Sequence, residues 1–173
     1  MKFSKRTIYI LLVIVFTITI DQVSKVIVRA QITERTATNP GEQIALIKDY
    51  FILMNVRNEG AFLGMGSELN DSLRIILLLV LPILVLALVL HYLFKDRSLD
   101  NWSVFAFSSI IGGGISNVFD RIAFGSVTDF LYIKLTDLLR TGVFNLADLS
   151  VTIGMIILLF SSIKNRKKVT SKN

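Results

Sequence analysis

The chain contains no cysteine, which excludes disulfide bridges, thiol nucleophiles, cysteine-ligated metals and a lipid-bearing cysteine of its own. Histidine is almost as rare, since His91 is the only one. The sequence also lacks the HExxH motif of zinc metalloproteases and the GxSxG motif of serine hydrolases. Any catalytic chemistry must therefore depend on other residue types.

Charged residues are also scarce. They make up 18% of the 173 residues, whereas 53% are hydrophobic, so the chain has too few polar groups to cover a soluble globule of this size. Four apolar stretches approach the ~20 residues that span a bilayer as a helix. We therefore expect an all-α integral membrane protein with transmembrane helices over about residues 7–28, 73–94, 102–119 and 147–163.

The basic residues predict the orientation. Ten of the nineteen lie at the amino end, in the short connection after the second predicted helix and in the carboxyl-terminal tail, where only Asp96 and Asp100 oppose them. Because basic residues are enriched in cytoplasmic segments, we expect these three segments and both termini to be cytoplasmic. Orientation and attraction to membrane phospholipid then account for most of the net charge of +6, and no nucleic-acid binding is expected.

The amino-terminal apolar segment could alternatively be a cleaved signal peptide, because a basic start, an apolar run and the small residue Ala30 loosely fit that pattern. However, the stretch DQVSKVIVRA that leads to Ala30 is long and charged for a cleavage region, and it continues a helix well. We therefore expect this segment to be the first transmembrane helix.

The segment between the first two predicted helices is too long to be a turn. It contains β-branched and aromatic residues that lead into Asn58, Glu59 and Gly60. This pattern predicts a small strand-rich element over about residues 40–68, on the outer side of the membrane. The sequence has no internal repeat, so a single domain over residues 1–173 is the simplest organisation.

Two charged residues fall near the outer end of the first predicted helix. A charge at membrane depth needs a partner or a function. Asp21 and Lys25 are four residues apart, which places them on one face of a helix. We therefore expect a structural ion pair that also anchors the helix at the interface.

The third predicted helix carries a strip of small residues followed by polar ones. Gly113 belongs to that strip, which is typical of helices whose backbones approach closely. Asn117, Asp120 and Arg121 follow at the outer end with helical i, i+3 and i, i+4 spacings. Asp120 and Arg121 alone would indicate an interfacial ion pair, but they lead directly to a further acid.

That acid, Asp129, is expected in a loop between Val127 and Phe130, and a second acid, Asp148, begins the fourth predicted helix. Asn145 and Asp148 also fit a variant capping box, in which Asn145 is the N-cap. Both carboxylates are nevertheless predicted at the outer edge of the membrane, in apolar surroundings and without a nearby basic partner in sequence. Brought together there, they would form a site.

Two carboxylates at close range share a proton, so that one can act as a general base toward water and the other as a general acid. This is the chemistry of aspartic peptidases. We expect Asp129 to hold the shared proton more of the time. Metal binding by carboxylates alone remains an alternative, although no ligand spacing supports it.

Five blocks of the sequence carry a resemblance to a known family: DQVSK, NEGAF, GGISNVFDR, VTDF and FNLAD. In their order and spacing they resemble the lipoprotein signal peptidases, also called signal peptidase II. Each block alone is weak, but together they cover nearly the whole chain. The chain departs from the family pattern at Phe62, where a second alanine is frequent, at Ser116, where glycine is frequent, and before the last block, where a proline is common.

The resemblance implies a bacterial inner-membrane aspartic peptidase with four helices, cytoplasmic termini, an extracytoplasmic β-cradle and an active site at the outer leaflet. It implies prolipoprotein substrates with diacylglyceryl-cysteine, cut before that cysteine, and globomycin as an inhibitor, without a metal or cofactor. Asp129 and Asp148 match the catalytic aspartates. The residues implied to bind substrate or support the site are Asn58, Gly60, Gly113, Asn117, Asp120, Arg121 and Asn145.

Two other functions account for part of the sequence. A proton-coupled transporter would also contain membrane acids, but it would favour acids at the midplane and repeated halves with broken helices. A non-catalytic membrane scaffold would explain the strip of small residues, but it leaves the two aspartates without a role.

Overall fold

Four long helices and a small four-stranded sheet make up the part of the chain that the computed structural model describes, residues 3–60 and 70–170. The second long helix is composite, because a π-helical turn separates its two α-helical parts. The helices are α1 (Lys5–Gln31), α2 (Asp71–Ile75), the π-turn (Ile76–Val80), α3 (Leu81–Lys95), α4 (Asn101–Phe124) and α5 (Leu146–Thr170).

All four long helices are long and apolar enough to cross a membrane. The apolar stretches identified in the sequence lie within them, and the expected class, a mostly helical membrane protein with a small sheet, is confirmed. Large apolar side chains such as Phe16, Leu88 and Phe160 point outward and are each about two-thirds exposed. Such a surface suits lipid rather than water.

Polar residues in the sequence set the helix ends. Ser4 caps α1 by accepting a hydrogen bond from Thr7 N at 3.1 Å, and Asp100 caps α4 in the same way through Ser103 N at 2.8 Å. Gly125 ends α4 with a φ of 73°, a left-handed conformation that glycine adopts without strain. As a result α4 extends five residues beyond the predicted end at residue 119.

Proline distorts the second long helix. Pro82 has no N–H, and its ring crowds the preceding turn, so the regular hydrogen-bond pattern cannot continue through it. The hydrogen-bond pattern therefore changes in the turn before Pro82. There Leu81 N–H donates to the carbonyl of Ile76, five residues back instead of four.

Helix α4 is central and packs against the other three long helices through consecutive glycines. A Cβ atom added to Gly112 would lie 2.7 Å from the Cβ of Thr17 in α1. One added to Gly113 would lie 2.5 Å from the carbonyl oxygen of Ala147 in α5, and the next glycine faces α3. The predicted close packing of this strip is therefore present on three sides of the helix.

The sheet combines segments that are distant in sequence. Strand β3 pairs with the other three strands, in parallel with β1 and antiparallel with β2 and β4. The strands are β1 (Glu34–Arg35), β2 (Gln43–Ile47), β3 (Phe51–Asn58) and β4 (Val127–Ile133). Residues 61–68 of the strand-rich element predicted over residues 40–68 lie outside the described residues.

Strand β4 corrects one expectation. Asp129 was expected in a loop, but it lies within β4 and pairs with Val56 of β3. The first five residues of β4 are all buried, so the strand lacks the alternation of buried and exposed positions by which a strand can be predicted from sequence.

Within the described residues, the interior has two apolar clusters with a polar layer between them. Along α1, the polar layer contains Asp21 and Lys25, which are both completely buried. One cluster lies on the side of the layer toward the start of α1 and the other lies toward the sheet. Their members are Ile10, Ile14, Leu93, Val104 and Ile111 in the first, and Val28, Ile32, Phe130 and Leu131 in the second.

Candidate active site

Asp129 is held in place by the sheet. A β-bulge shifts the β3–β4 register directly beside it, because Leu53 pairs with Leu131 whereas Val56 pairs with Asp129. Bulges of this kind re-aim the neighbouring side chains. The Asp129 side chain is 2% exposed, and its Oδ2 accepts a hydrogen bond from Asn58 Nδ2 at 2.7 Å.

Asn145 approaches Asp129 because the preceding residue pairs with β4. Phe144 forms an antiparallel bridge with Leu131, and its carbonyl accepts hydrogen bonds from Phe130 N and Leu131 N. This pairing places the completely buried Asn145 beside the carboxyl group of Asp129. Asn145 Nδ2 donates to Asp129 Oδ1 at 2.6 Å.

Asp148 lies in the first turn of α5, where it has the reciprocal contacts of a capping box. Asn145 Oδ1 accepts from Asp148 N at 2.9 Å, and Asp148 Oδ2 accepts from Asn145 N at 3.3 Å. The Asp148 carboxylate accepts a second hydrogen bond through Oδ1, from Asn117 Nδ2 of α4 at 2.9 Å. The capping interpretation and the site interpretation of this motif are therefore compatible.

Asn145 connects the two carboxylates, since it binds Asp129 with its amide nitrogen and Asp148 with its backbone and amide oxygen. Burial raises the pKa of Asp129 from 3.8 to about 7; hydrogen bonds from Asn58 and Asn145 oppose this shift, and the neighbouring Asp148 carboxylate adds to it. Asp129 therefore carries a proton much of the time near neutral pH.

A buried ion network supports the pair. The predicted ion pair is present, with Lys25 Nζ 2.7 Å from Asp21 Oδ2, but Lys25 also lies 2.9 Å from Asp120 Oδ2 of α4. In addition, Lys25 donates to Asn117 Oδ1 at 2.9 Å. The amide of Asn117 is thereby oriented, with its oxygen toward Lys25 and its nitrogen toward Asp148.

The same network fixes the start of α5. Asp21 Oδ1 accepts from Ala147 N at 2.8 Å, one residue before Asp148. This N–H belongs to the first turn of α5, where backbone donors have no partner within the helix. Asp21 of α1 therefore accepts a hydrogen bond from a backbone N–H group at the start of the helix that carries Asp148.

Two members of the network, Gln22 and Ser116, were not predicted from the sequence as site residues. Gln22 Nε2 donates to Asp120 Oδ1 and Ser116 Oγ, each at 2.9 Å, and Ser116 donates to Asp21 Oδ2 at 2.7 Å. Ser116 was noted in the sequence as a position where the family frequently has glycine. A polar glutamine beside Asp21 at membrane depth was the available signal for Gln22.

Arg121 of α4 links the end of β3 to the site by hydrogen bonds. Its guanidinium donates to the carbonyl of Gly60 at 2.7 Å and to that of Asn117 at 3.3 Å. Gly60 N in turn donates to Asn58 Oδ1 at 2.9 Å, so that the Asn58 amide nitrogen is directed at Asp129.

Comparison with known proteins identifies the family. The family model described as signal peptidase (SPase) II matches residues 13–164. The chain belongs to the signal peptidase II family. It is therefore a membrane protease of the kind that processes lipoproteins.

Similar proteins include a lipoprotein signal peptidase of Gloeobacter violaceus, which is 36% identical over 89% of this chain and 81% of that protein. A lipoprotein signal peptidase of Borreliella burgdorferi is 32% identical over 98% of both chains. A bacterial membrane enzyme solved by the in meso method at 2.3 Å resolution superposes with a TM-score of 0.78 at 25% identity, covering 92% of this chain and 90% of that chain.

The structure of this signal peptidase II brings the predicted site residues together. Three asparagines, Asn58, Asn117 and Asn145, contact the two aspartates directly. Gly60 and Arg121 contact these asparagines, Asp120 is linked to Asn117 through Lys25, and Gly113 lies against the carbonyl group of Ala147, next to Asp148. Among the described residues, no group of three His, Cys, Asp or Glu side chains is placed to hold a metal ion.

Proposed function

We propose that this signal peptidase II cleaves diacylglyceryl-modified prolipoproteins before the lipidated cysteine, with Asp129 and Asp148 as the catalytic pair. The observation that carries the proposal is the position of Asn145, whose side-chain amide donates to the Asp129 carboxyl group and whose backbone N–H donates to the Asp148 carboxyl group. A shared position of this kind suits a pair that passes a proton between water and a peptide bond.

In the proposed first step, Asp148 removes a proton from a water molecule, and the resulting hydroxide adds to the carbon of the scissile carbonyl. Asp129, with its raised pKa, gives its proton to the carbonyl oxygen. The tetrahedral intermediate then collapses: the C–N bond breaks, the leaving amine takes up the proton gained by Asp148, and a hydroxyl proton of the intermediate returns to Asp129 as the carbonyl group re-forms. Asn58, Asn117 and Asn145 keep the two carboxyl groups aligned through both steps.

The proposed orientation follows from charge and from the position of the pair. Both termini and the connection after α3 are placed in the cytoplasm, which puts the sheet and the aspartates at the outer leaflet of the bacterial inner membrane. A substrate anchored by its own lipid presents its scissile bond at that interface. The same site would accept the inhibitor globomycin.

Cleavage of a lipidated precursor by purified protein in detergent tests the proposal. Asp129→Asn and Asp148→Asn should each abolish cleavage, because an amide keeps the volume of the carboxyl group but cannot exchange its proton. Asp137→Asn is the matched control, since that carboxylate lies nearby in sequence, is 92% exposed and pairs only with Lys134 in the described residues.

Three further observations complete this test. Both inactive variants should still bind globomycin, a precursor without lipid should remain uncleaved, and chelators should leave turnover unchanged. Near-normal turnover by either dyad variant would show that the aspartic mechanism is wrong.

A further inference from the structure

The turn between α4 and β4 leads into the strand that carries Asp129, and two arginines from other elements hold it. Arg57 of β3 donates to the Phe124 carbonyl and to Ser126 Oγ, each at 2.7 Å. This holds the near end of the turn, where α4 ends at Gly125.

Arg29, in the last turn of α1, binds both ends of the same turn. Its guanidinium carbon lies 4.4 Å from the centre of the Phe124 ring, and its Nη1 donates to Thr128 Oγ1 at 3.0 Å. The same nitrogen lies 4.0 Å from Asp120 Oδ1. One side chain therefore links α1, the end of α4 and the start of β4.

The chemistry of these contacts suits arginine in particular. A planar guanidinium can stack on an aromatic ring and donate a directed hydrogen bond from its edge at the same time. The Arg29 side chain is 27% exposed, whereas Thr128 is 8% exposed and Asp120 is completely buried. Limited access to water strengthens both interactions relative to those of a fully exposed arginine.

We propose that Arg29 is a positioning residue for Asp129, acting through the hydroxyl group of Thr128. Thr128 precedes Asp129 in β4, and its backbone N–H donates to Asp120 Oδ2 at 3.3 Å. The backbone on the amino-terminal side of Asp129 is thus fixed by Asp120, and the Thr128 side chain by Arg29. The inference rests on the proposed function, because it concerns the geometry of the proposed catalytic pair.

Three variants test the contact: Arg29→Met, Thr128→Val and the double variant. Methionine keeps an apolar stem, and valine keeps the β-branched shape of threonine but lacks the hydroxyl group. Small displacements of a catalytic group lower the rate of the chemical step, so we expect kcat to fall about tenfold for Arg29→Met and about threefold for Thr128→Val. KM for the lipidated precursor should stay within about twofold of the wild-type value, because the substrate contacts remain.

The double variant separates positioning from two independent effects. If the residues act through one hydrogen bond, the double variant should be no slower than Arg29→Met alone; independent effects would multiply to about thirtyfold. Arg35→Met is the control for the loss of a positive charge near the end of α1, and it should keep wild-type kcat. If Arg29→Met does not fold, the kcat of Thr128→Val alone tests the positioning role.

An unchanged kcat in Thr128→Val, a multiplicative loss in the double variant, or a loss confined to KM would each overturn the positioning role. These outcomes are distinct from failure of the proposed function. Failure of the proposed function would appear as a wild-type enzyme that leaves the lipidated precursor intact, or as an Asp129→Asn variant that still cleaves it.

Discussion

Asn145 combines two tasks that usually belong to different residues. As the N-cap of α5 it accepts a hydrogen bond from Asp148 N, and as part of the site it donates to Asp129. Its amide oxygen and nitrogen are therefore both committed, and their assignment follows from this pattern of contacts. Aspartate at this position could cap the helix but could not donate to Asp129.

Asn145→Ser separates these tasks. Serine is a good N-cap, so α5 should keep its stability, but the serine side chain is too short to replace the donor to Asp129. A hydrogen bond to a charged group contributes about 1.5–3 kcal/mol, so we expect turnover to fall by one to two orders of magnitude. Turnover and thermal unfolding measured on the same preparation check this, and a variant that loses stability but keeps turnover would contradict it.

The raised pKa of Asp129 predicts a pH-dependent stability. The folded protein holds this proton up to about pH 7, whereas the unfolded chain releases it near 3.8. The stability that the Asp129 proton contributes is therefore fully present below the pKa of the unfolded chain. It is lost as the pH rises through the folded pKa of about 7. Asp129→Asn cannot titrate, so its stability relative to wild type should increase between about pH 5 and pH 8. Unfolding temperatures of both proteins across this range provide the test, and a constant difference would contradict it.

At the scale of secondary-structure elements, the contact between α4 and α5 sets the position of Asp148. Gly113 lies against the carbonyl group of Ala147, and two turns further into the membrane Gly154 of α5 lies against the carbonyl of Ala106. The two glycines make equivalent close contacts, but only the first adjoins the site.

This pair provides a matched comparison. Gly113→Ala and Gly154→Ala should each destabilise the protein by about 1–3 kcal/mol, because the added methyl group forces the helices apart. At a temperature where both variants are folded, Gly113→Ala should lose turnover and Gly154→Ala should keep it. Equal turnover in the two variants would mean that the spacing of α4 and α5 at Ala147 does not control the site.

The helices could be predicted from sequence because hydropathy alone determines where a long span can lie. The predicted position of both acids at the same membrane edge, together with the resemblance to lipoprotein signal peptidases, indicated that Asp129 and Asp148 would lie in one site, although their catalytic roles stay a prediction. Strand β4 could not be predicted, because its partner β3 lies about 70 residues earlier in the chain and pairing at this range leaves no local pattern. The contact of Lys25 with Asn117 depends on how α1 is rotated against α4, which hydropathy does not determine.

At the scale of the whole molecule, charge distribution predicts the topology. The absence of cysteine makes single-cysteine variants simple to interpret. Thr38→Cys, between β1 and β2, should react with a membrane-impermeant thiol reagent in intact cells, whereas Arg97→Cys should react only after the membrane is permeabilised. Labelling of Arg97→Cys in intact cells would reverse the orientation, and cleavage activity retained in both variants is the control for correct folding.

The position of Asp21 and Lys25 on one helix has a consequence for biosynthesis. The first helix leaves the ribosome and enters the bilayer long before Asp120, which lies 95 residues after Lys25, has been translated. During that interval the lysine cannot use its partner on α4. Because Asp21 lies one turn away and can neutralise it, the nascent helix carries its own counter-charge into the lipid. We therefore expect the first span to insert without α4, and Lys25 to gain its second partner only when α4 arrives.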